Sequence, residues 1–213
     1  MDSSGAVYAK FPAGGVEALE QAVSEARKAS RHTSPIKVLG GDPIRHAYAV
    51  VDRWGRSDNM PIWAEGPDLT TAFELVELSR LVGDVVAFYT IDDGLSMGIY
   101  GAWKDGRLVR NLQWMDDQWQ VVEGDPQPWE KPLFSSESRE ACLECARDNG
   151  WDESEVQKMF QAGVLQPGFR FPIAHGLVRH INAACPGPLY GFEPWPARRT
   201  LLEDLGLVKK RPR

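Results

Sequence analysis

Hydrophobic side chains recur every three or four residues in two stretches of the first half of the chain, and this spacing predicts two amphipathic helices. The second covers residues 68–82, with Asp68 as its N-cap and Gly83 just past its end. The first covers residues 16–29 and places four apolar side chains on one face, which we expect to point inward: Val16, Leu19, Val23 and Ala26.

Turn-forming residues divide the rest of the first half of the chain into predicted strands and loops. Residues 36–39 and 46–52 are rich in β-branched and aromatic side chains and flank a Gly-Gly-Asp-Pro sequence, which predicts two strands joined by a turn. Residues 53–67 are polar and interrupted by glycine and proline, so we expect a loop. Residues 1–15 fit neither period, and we expect a flexible start to the chain.

Residues 84–123 carry the clearest pattern in the chain, four short hydrophobic runs separated by turn formers. The second turn contains Asp105-Gly106, a dipeptide that favours a type I′ turn because glycine accepts a positive φ at little cost. Such short connections require antiparallel neighbours, so we predict a four-stranded meander. Its predicted strands are residues 85–91, 97–103, 107–114 and 119–122.

The two faces of this meander are expected to differ. Leu108 and Trp119 are expected to point toward helices. The opposite face is expected to carry Arg110, Asn111 and Gln113, and therefore to be in contact with water.

Helical signals return in the last third of the chain. Three prolines within residues 126–132 first predict a rigid extended connector. Ser135 or Ser136 is expected to cap a helix over residues 137–148, which Asn149-Gly150 ends. Asp152 with Glu155 is expected to form a capping box for a short helix that follows. The pattern then predicts two further helices, over residues 172–184 and 200–205.

These elements predict an α+β fold, an antiparallel sheet of about five or six strands with helices packed before and after it. The central meander forms most of this sheet. A length of 213 residues fits a single domain over residues 1–213, and a division into two sub-lobes, residues 16–83 and 84–213, is the alternative.

Composition narrows the class of protein. Hydrophobic residues make up 43% and charged residues 25% of the chain, as in ordinary soluble domains. The sequence has no apolar run of roughly eighteen residues, so we expect no membrane span, and its start does not resemble a secretory signal. Three cysteines do not make a disulfide framework, and we expect a reduced, cytoplasmic location.

The charge is unevenly distributed along the chain. Residues 84–130 contain nine acidic and three basic side chains, an excess equal to the net charge of −6 of the whole chain, and four of the eight tryptophans. Carboxylates steer a basic protein and exposed aromatic rings anchor it, so this composition suits a protein partner and repels a nucleic-acid backbone. The alternative is that the tryptophans fill the core and the aspartates occupy turns.

Two groups of residues are candidates for chemistry. Cys142 and Cys145 form a C-x-x-C whose distant partners in a zinc site would be His175 and His180. Its position inside a predicted helix favours the alternative, that a free cysteine packs in the core. His175, Arg179 and His180 share a predicted helix and suit an anionic group in a ligand or hydrolytic pocket. We expect no cofactor, because no cofactor-binding motif is present.

A series of short motifs lies in and around the meander, at residues 79–84, 98–100 and 106–110, at Trp114 and at residues 119–130. Their pattern resembles that of uncharacterised bacterial immunity-type proteins encoded next to secreted or contact-delivered toxins. Proteins of that type bind and silence a cognate toxin inside the producing cell. The resemblance implies a cytoplasmic protein without an active site, whose partner is a protein toxin.

The sequence therefore predicts a protein that neutralises a cognate bacterial toxin by stoichiometric occlusion. A basic toxin that acts on nucleic acid suits the acidic segment, and no direct contact with nucleic acid or membrane is expected. The oligomeric state is not predicted. The predicted partner-contact residues are Asp92, Asp93, Asp116, Asp117 and Trp119.

Two alternatives to toxin binding are kept. The first is an enzyme or small-ligand domain that uses His175, Arg179 and His180. The second is a metal-stabilised module built on Cys142 and Cys145.

Overall fold

A computed structural model of the chain describes residues 2–29, 38, 43–44, 47–55, 72–92, 96–116 and 118–170. These residues contain six strands: β1 (Asp2–Lys10), β2 (Tyr48–Gly55), β3 (Asp84–Asp92), β4 (Ser96–Lys104), β5 (Arg107–Met115) and β6 (Gln118–Gly124). They also contain four α-helices: α1 (Gly15–Ala26), α2 (Phe73–Val82), α3 (Ser136–Asn149) and α4 (Glu153–Ala162). Two 3₁₀ segments accompany them, a short turn at Arg27–Ala29 and a longer 3₁₀ helix at Pro128–Phe134.

All six strands belong to one antiparallel sheet in the order β2-β1-β3-β4-β5-β6. The predicted α+β class is confirmed, with helices both before and after the sheet. The predicted meander is confirmed as well, because β3, β4, β5 and β6 pair in chain order. The helices of the first half and the helices of the second half lie on opposite faces, so the sheet is the middle of three layers.

The start of the chain is a strand, and the expectation of a flexible segment over residues 1–15 is wrong. β1 lies between β2 and β3 and is paired along its length with both. Its residues 5–9 are all buried, with Val7 on one face of the sheet and Tyr8 on the other. A strand covered on both faces has a continuous apolar run instead of alternating apolar and polar residues. The search for alternation along the sequence therefore did not reveal β1.

Each face of the sheet has its own hydrophobic core. On one face, α1 and α2 form the first core against the sheet, with Leu19, Leu75, Leu78, Val85 and Trp103 among its members. On the other, the 3₁₀ helix, α3 and α4 form the second core, with Tyr8, Tyr100, Leu112, Trp119 and Leu133 among its members.

The turn between β4 and β5 has the predicted type I′ geometry. Asp105 and Gly106 have φ angles of 49° and 80°, both in the left-handed region. The turn also packs against the end of α2, since the Gly106 N–H donates to Ser79 Oγ at 2.9 Å and the Asp105 N–H donates to the Gly83 carbonyl at 2.8 Å. These two bonds fix α2 to the sheet.

The predicted N-caps of α3 and α4 are present, although the second bond of the capping box predicted for α4, from the Glu155 side chain, is not found among the described residues. Ser135 Oγ accepts a bond from the Ser138 N–H, and Gly150 ends α3 in the left-handed conformation. Asp152 accepts from the Ser154 N–H at the start of α4, and the backbone and side-chain hydrogen bonds from Ser154 lower the pKa of the Asp152 carboxyl below its ordinary value. Gly163 ends α4 in the same left-handed way as Gly150 ends α3.

The proline-rich connector is not extended as predicted. Residues Pro128–Phe134 form the 3₁₀ helix, which the Glu130 carboxylate caps by accepting the Gln127 N–H at 2.8 Å. Proline is compatible with the first turn of a helix, because its fixed φ is helical and its missing N–H would have no partner there.

Some predicted elements have different bounds in the structure, and others lie outside the described residues. β2 continues to Gly55, so the first residues of the predicted loop over 53–67 are strand. Asp68, most of the strand over residues 36–39 and the helices over 172–184 and 200–205 lie outside the described residues. Among the residues that are described, no helix has the length and apolar character needed to span a membrane.

Candidate functional site

The strand register brings the two predicted acidic turns to the same end of the sheet. Asp92 at the end of β3 pairs with Ser96 at the start of β4. On the other side of β4, Met97 pairs with Met115 at the end of β5, directly before Asp116. Since neighbouring strands lie about 4.8 Å apart, the two turns are separated by roughly 10 Å across the sheet.

The first strand contributes a third aspartate to this end, because Asp2 pairs with Asp92. We call this end of the sheet, where Asp2, Asp92 and Asp116 lie, the acidic end. Asp93 and Asp117 lie outside the described residues. The backbone of Arg170 bridges to Gln118 here, and its guanidinium lies over the Trp151 ring at 5.7 Å from the centroid.

Asp116 lies in the turn between β5 and β6, at the acidic end. It is exposed and has a φ of 52°, a left-handed conformation that few residues other than glycine, asparagine and aspartate adopt readily. Met115 beside it is 42% exposed, which is unusual for a large apolar side chain in a sheet. The β5–β6 turn therefore presents a carboxylate next to an apolar group.

At the opposite end of the sheet, acidic side chains have basic neighbours. Asp84 forms an ion pair with Lys10 at 3.4 Å. Asp105 in the β4–β5 turn lies between Lys104 and Arg107, both exposed. Acidic residues therefore occur at both ends of the sheet, and at this end two of them lie beside basic side chains.

The tryptophans of the central segment do not contribute to this surface. Trp119 has no exposed area, so the prediction that its ring contacts a partner is wrong. Its ring packs edge-on against Trp114, with 5.4 Å between centroids, inside the second core. Trp103 and Trp129 are buried too, and Trp129 donates its indole N–H to the Tyr100 hydroxyl at 3.1 Å. The alternative, tryptophans filling the core, is the one the structure shows.

The predicted water-facing side of the meander is also corrected. Arg110 lies on the face of the second core and is buried there, because it pairs across the strands with Ala102. Asn111 and Gln113 lie on the opposite face, where Asn111 is only 5% exposed. The Asn111 amide donates to Glu123 Oε2 at 2.9 Å, and its carbonyl accepts from Gln113 at 3.3 Å. These polar side chains therefore form hydrogen bonds with one another on the sheet instead of with water.

Sequence reasoning missed the most buried ion pair in the described residues. Arg110 and Glu130 are joined by two bonds, from Nε to Oε1 at 2.9 Å and from Nη2 to Oε2 at 2.5 Å. Arg110 Nη1 also donates to the Gly124 carbonyl at 2.6 Å. Counted along the sequence, Glu130 belongs to the acidic segment over residues 84–130. In the fold its charge is neutralised inside the protein by Arg110 of β5.

The C-x-x-C lies in the middle of α3, as the sequence predicts. Cys142 is fully buried, and burial raises the pKa of its thiol to about 12, with a smaller contribution in the same direction from Cys145. A thiol with such a pKa is a poor metal ligand and a poor nucleophile at neutral pH, since both roles need the thiolate. Within the described part of the chain, no group of three or more histidine, cysteine or acidic side chains is arranged to hold a metal ion.

The other predicted chemical group cannot be placed. His175, Arg179 and His180 all lie outside the described residues.

Comparisons of the chain with protein-family models, with curated proteins and with solved structures found no match. The charge and geometry of the acidic end are therefore the features on which a function can be proposed.

Proposed function

We propose that this protein is an immunity-type protein that binds a cognate bacterial toxin in the cytoplasm and neutralises it by stoichiometric occlusion. The acidic end is the proposed contact surface. The observation that carries the proposal is the register, which gathers the turns after Asp92 and after Met115 at one end of the sheet. Trp119 is not part of this surface, because it is buried in the second core.

The chemistry of the acidic end favours a basic protein as partner. A cluster of acidic residues attracts a positively charged surface during diffusion and raises the association rate at low salt. An exposed apolar side chain such as Met115 supplies area that loses water on contact and slows dissociation. A nucleic-acid-acting toxin, whose substrate is a polyanion, would carry the complementary positive charge.

The local geometry supports binding without large rearrangement. The β5–β6 turn joins two paired strands, and Trp119 at its base is buried. Strand ends that are already paired lose little conformational entropy when they bind. The ends of β5 and β6 that flank the proposed contact are therefore preformed.

The proposal is tested by mixing the purified protein with the product of the adjacent gene and measuring association rates at low and high salt. The structure offers a matched pair of variants, Asp116→Asn and Asp105→Asn. Both aspartates are exposed turn residues with positive φ, at opposite ends of β5, and asparagine tolerates that conformation. We expect Asp116→Asn to slow association by about threefold at low salt and Asp105→Asn to leave it unchanged.

Two results would count against the proposal in different ways. If no neighbouring gene product forms a tight, salt-sensitive complex, the immunity function is wrong. If a complex forms and both variants associate at the wild-type rate, the function stands and the contact surface lies away from the acidic end.

A further inference from the structure

A cleft of about 320 Å³ lies between the 3₁₀ helix and the C-terminal end of α4. Four of its eight lining residues are apolar: Pro126, Pro128, Phe134 and Val164. Its volume falls at the lower end of the range of roughly 300–1,000 Å³ that is typical of sites for small organic molecules. Val164 is an exposed apolar residue that would lose contact with water if the cleft were filled.

The charge of the cleft is set by two neighbouring residues of the 3₁₀ helix. Glu130 lines the cleft, but its carboxylate is neutralised by Arg110 and also accepts the Gln127 N–H. Lys131 lines the cleft as well and is exposed, and its ammonium group has no hydrogen bond or ion pair within the described part of the chain. The uncompensated side-chain charge at the cleft is therefore positive.

The opposite wall has the opposite polarity. It is formed by Gly163 and Val164, where α4 ends. The last carbonyl groups of a helix carry partial negative charge, so they disfavour an anion at this wall. An anionic group in the cleft is consequently expected on the side of Lys131.

The walls of the cleft are held by contacts that need no ligand. Phe134 packs edge-on against Phe160 of α4, with 5.7 Å between ring centroids. The ion pair of Glu130 with Arg110 fixes the 3₁₀ helix to β5. A cleft formed in this way loses little conformational entropy when it binds a molecule.

We propose that this cleft binds a small organic anion with a flat or branched apolar body and a single negatively charged group. The anionic group lies beside the Lys131 ammonium, and the body packs between Pro128 and Val164. The cleft follows the C-terminal end of β6, whereas the acidic end lies at the start of that strand. The site is therefore distinct from the proposed toxin contact and does not depend on it.

The test uses two fluorescent probes of similar shape and different charge, 8-anilinonaphthalene-1-sulfonate and the uncharged N-phenyl-1-naphthylamine. We expect saturable one-to-one binding of the sulfonate by the folded full-length protein. Lys131→Gln should weaken sulfonate binding about two- to fivefold, the size of one exposed charge interaction, and leave the uncharged probe unaffected. Val164→Trp should fill the cleft and abolish binding of both probes.

Lys158→Gln is the matched control, because Lys158 is an exposed lysine of α4 that does not line the cleft. Amide chemical shifts locate the bound probe, and those of Gln127, Lys131 and Gly163 should move together. Equal weakening by Lys131→Gln and Lys158→Gln, shifts centred elsewhere, or full binding by Val164→Trp would each overturn the proposal.

Discussion

Arg110 and Glu130 form a two-pronged ion pair in which each side chain is 2% exposed. The pair joins the fifth strand to the 3₁₀ helix, and the third arm of the same guanidinium holds the end of β6 through the Gly124 carbonyl. Arginine suits this place because its planar fork matches a carboxylate with two parallel bonds and still has donors left over. The pair positions the helix that forms one wall of the cleft.

The first prediction concerns this ion pair. Glu130→Gln leaves the buried Arg110 charge without its counter-charge, so the free energy of unfolding should fall by about 3–5 kcal/mol, measured by urea denaturation. The double variant Arg110→Met/Glu130→Leu removes both charges and should be clearly more stable than the single variant. An unchanged urea midpoint for Glu130→Gln would show that the pair is not buried in solution.

The second prediction compares a buried and a partly exposed side chain near the β5–β6 turn, Trp119 and Met115. Trp119→Ala should lower the free energy of unfolding by about 3–5 kcal/mol, because it removes a fully buried ring from the second core. Met115→Ala, on the neighbouring strand, should change it much less, by about 0.5 kcal/mol, because Met115 is 42% exposed and lies outside the buried core. Thermal unfolding of both variants checks this, and a mild effect of Trp119→Ala would place the ring at the surface.

The third prediction concerns a close approach between β4 and β5. A Cβ atom added to Gly98 would lie 1.9 Å from Cζ2 of Trp114, so the indole ring occupies the space that a side chain would need. Gly98→Ala should therefore cost about 1–3 kcal/mol through overpacking. In a double-mutant cycle, Trp114→Leu should reduce the cost of Gly98→Ala, because the smaller side chain leaves room. If the losses in free energy of unfolding caused by the two substitutions simply add in the double variant, this explanation is wrong.

The fourth prediction is a pH dependence. Burial raises the pKa of Cys142 from its ordinary value of 9.0 to about 12, so the folded state holds this proton more tightly than the unfolded state. The resulting stabilisation is complete below pH 9 and is lost as the pH rises from about 9 toward 12. Urea midpoints measured across this window should decrease with pH in the wild type and decrease less in Cys142→Ala. The same slope in both would assign the loss to other groups.

Cys142 and Cys145 should also differ in reactivity. In the native protein, alkylation at neutral pH should modify the half-buried Cys145 and leave the buried Cys142 intact. Peptide mass analysis distinguishes the two sites, with urea-unfolded protein as the control in which both react. If folding also proves indifferent to chelators, the alternative of a metal-stabilised module is removed.

The parts of the fold that the sequence predicted well are those set by neighbours in the chain. The type I′ turn at Asp105-Gly106, the Asp152 cap of α4 and the glycine at the end of α3 all depend on a few consecutive residues. The meander follows from short connections for the same reason.

The parts that could not be predicted depend on distant residues. β1 is recognisable as a strand only when both of its neighbours and both helical layers are known. The burial of Arg110 depends on Glu130, twenty residues away, and on the cross-strand register. For this reason the end of the sheet at which Asp92 and Asp116 lie follows from local turns, whereas the burial of Trp119 follows from the packing of the core.

The place of β1 also affects how the protein is made. β1 leaves the ribosome before the other described strands, yet its partner β3 begins only at Asp84. Until that segment has been synthesised, Val7, Tyr8 and Ala9 can pair only with β2, and a hydrophobic nascent segment attracts chaperones or other chains. We expect the sheet to close late in translation, when β1 pairs with β3 of the locally connected meander.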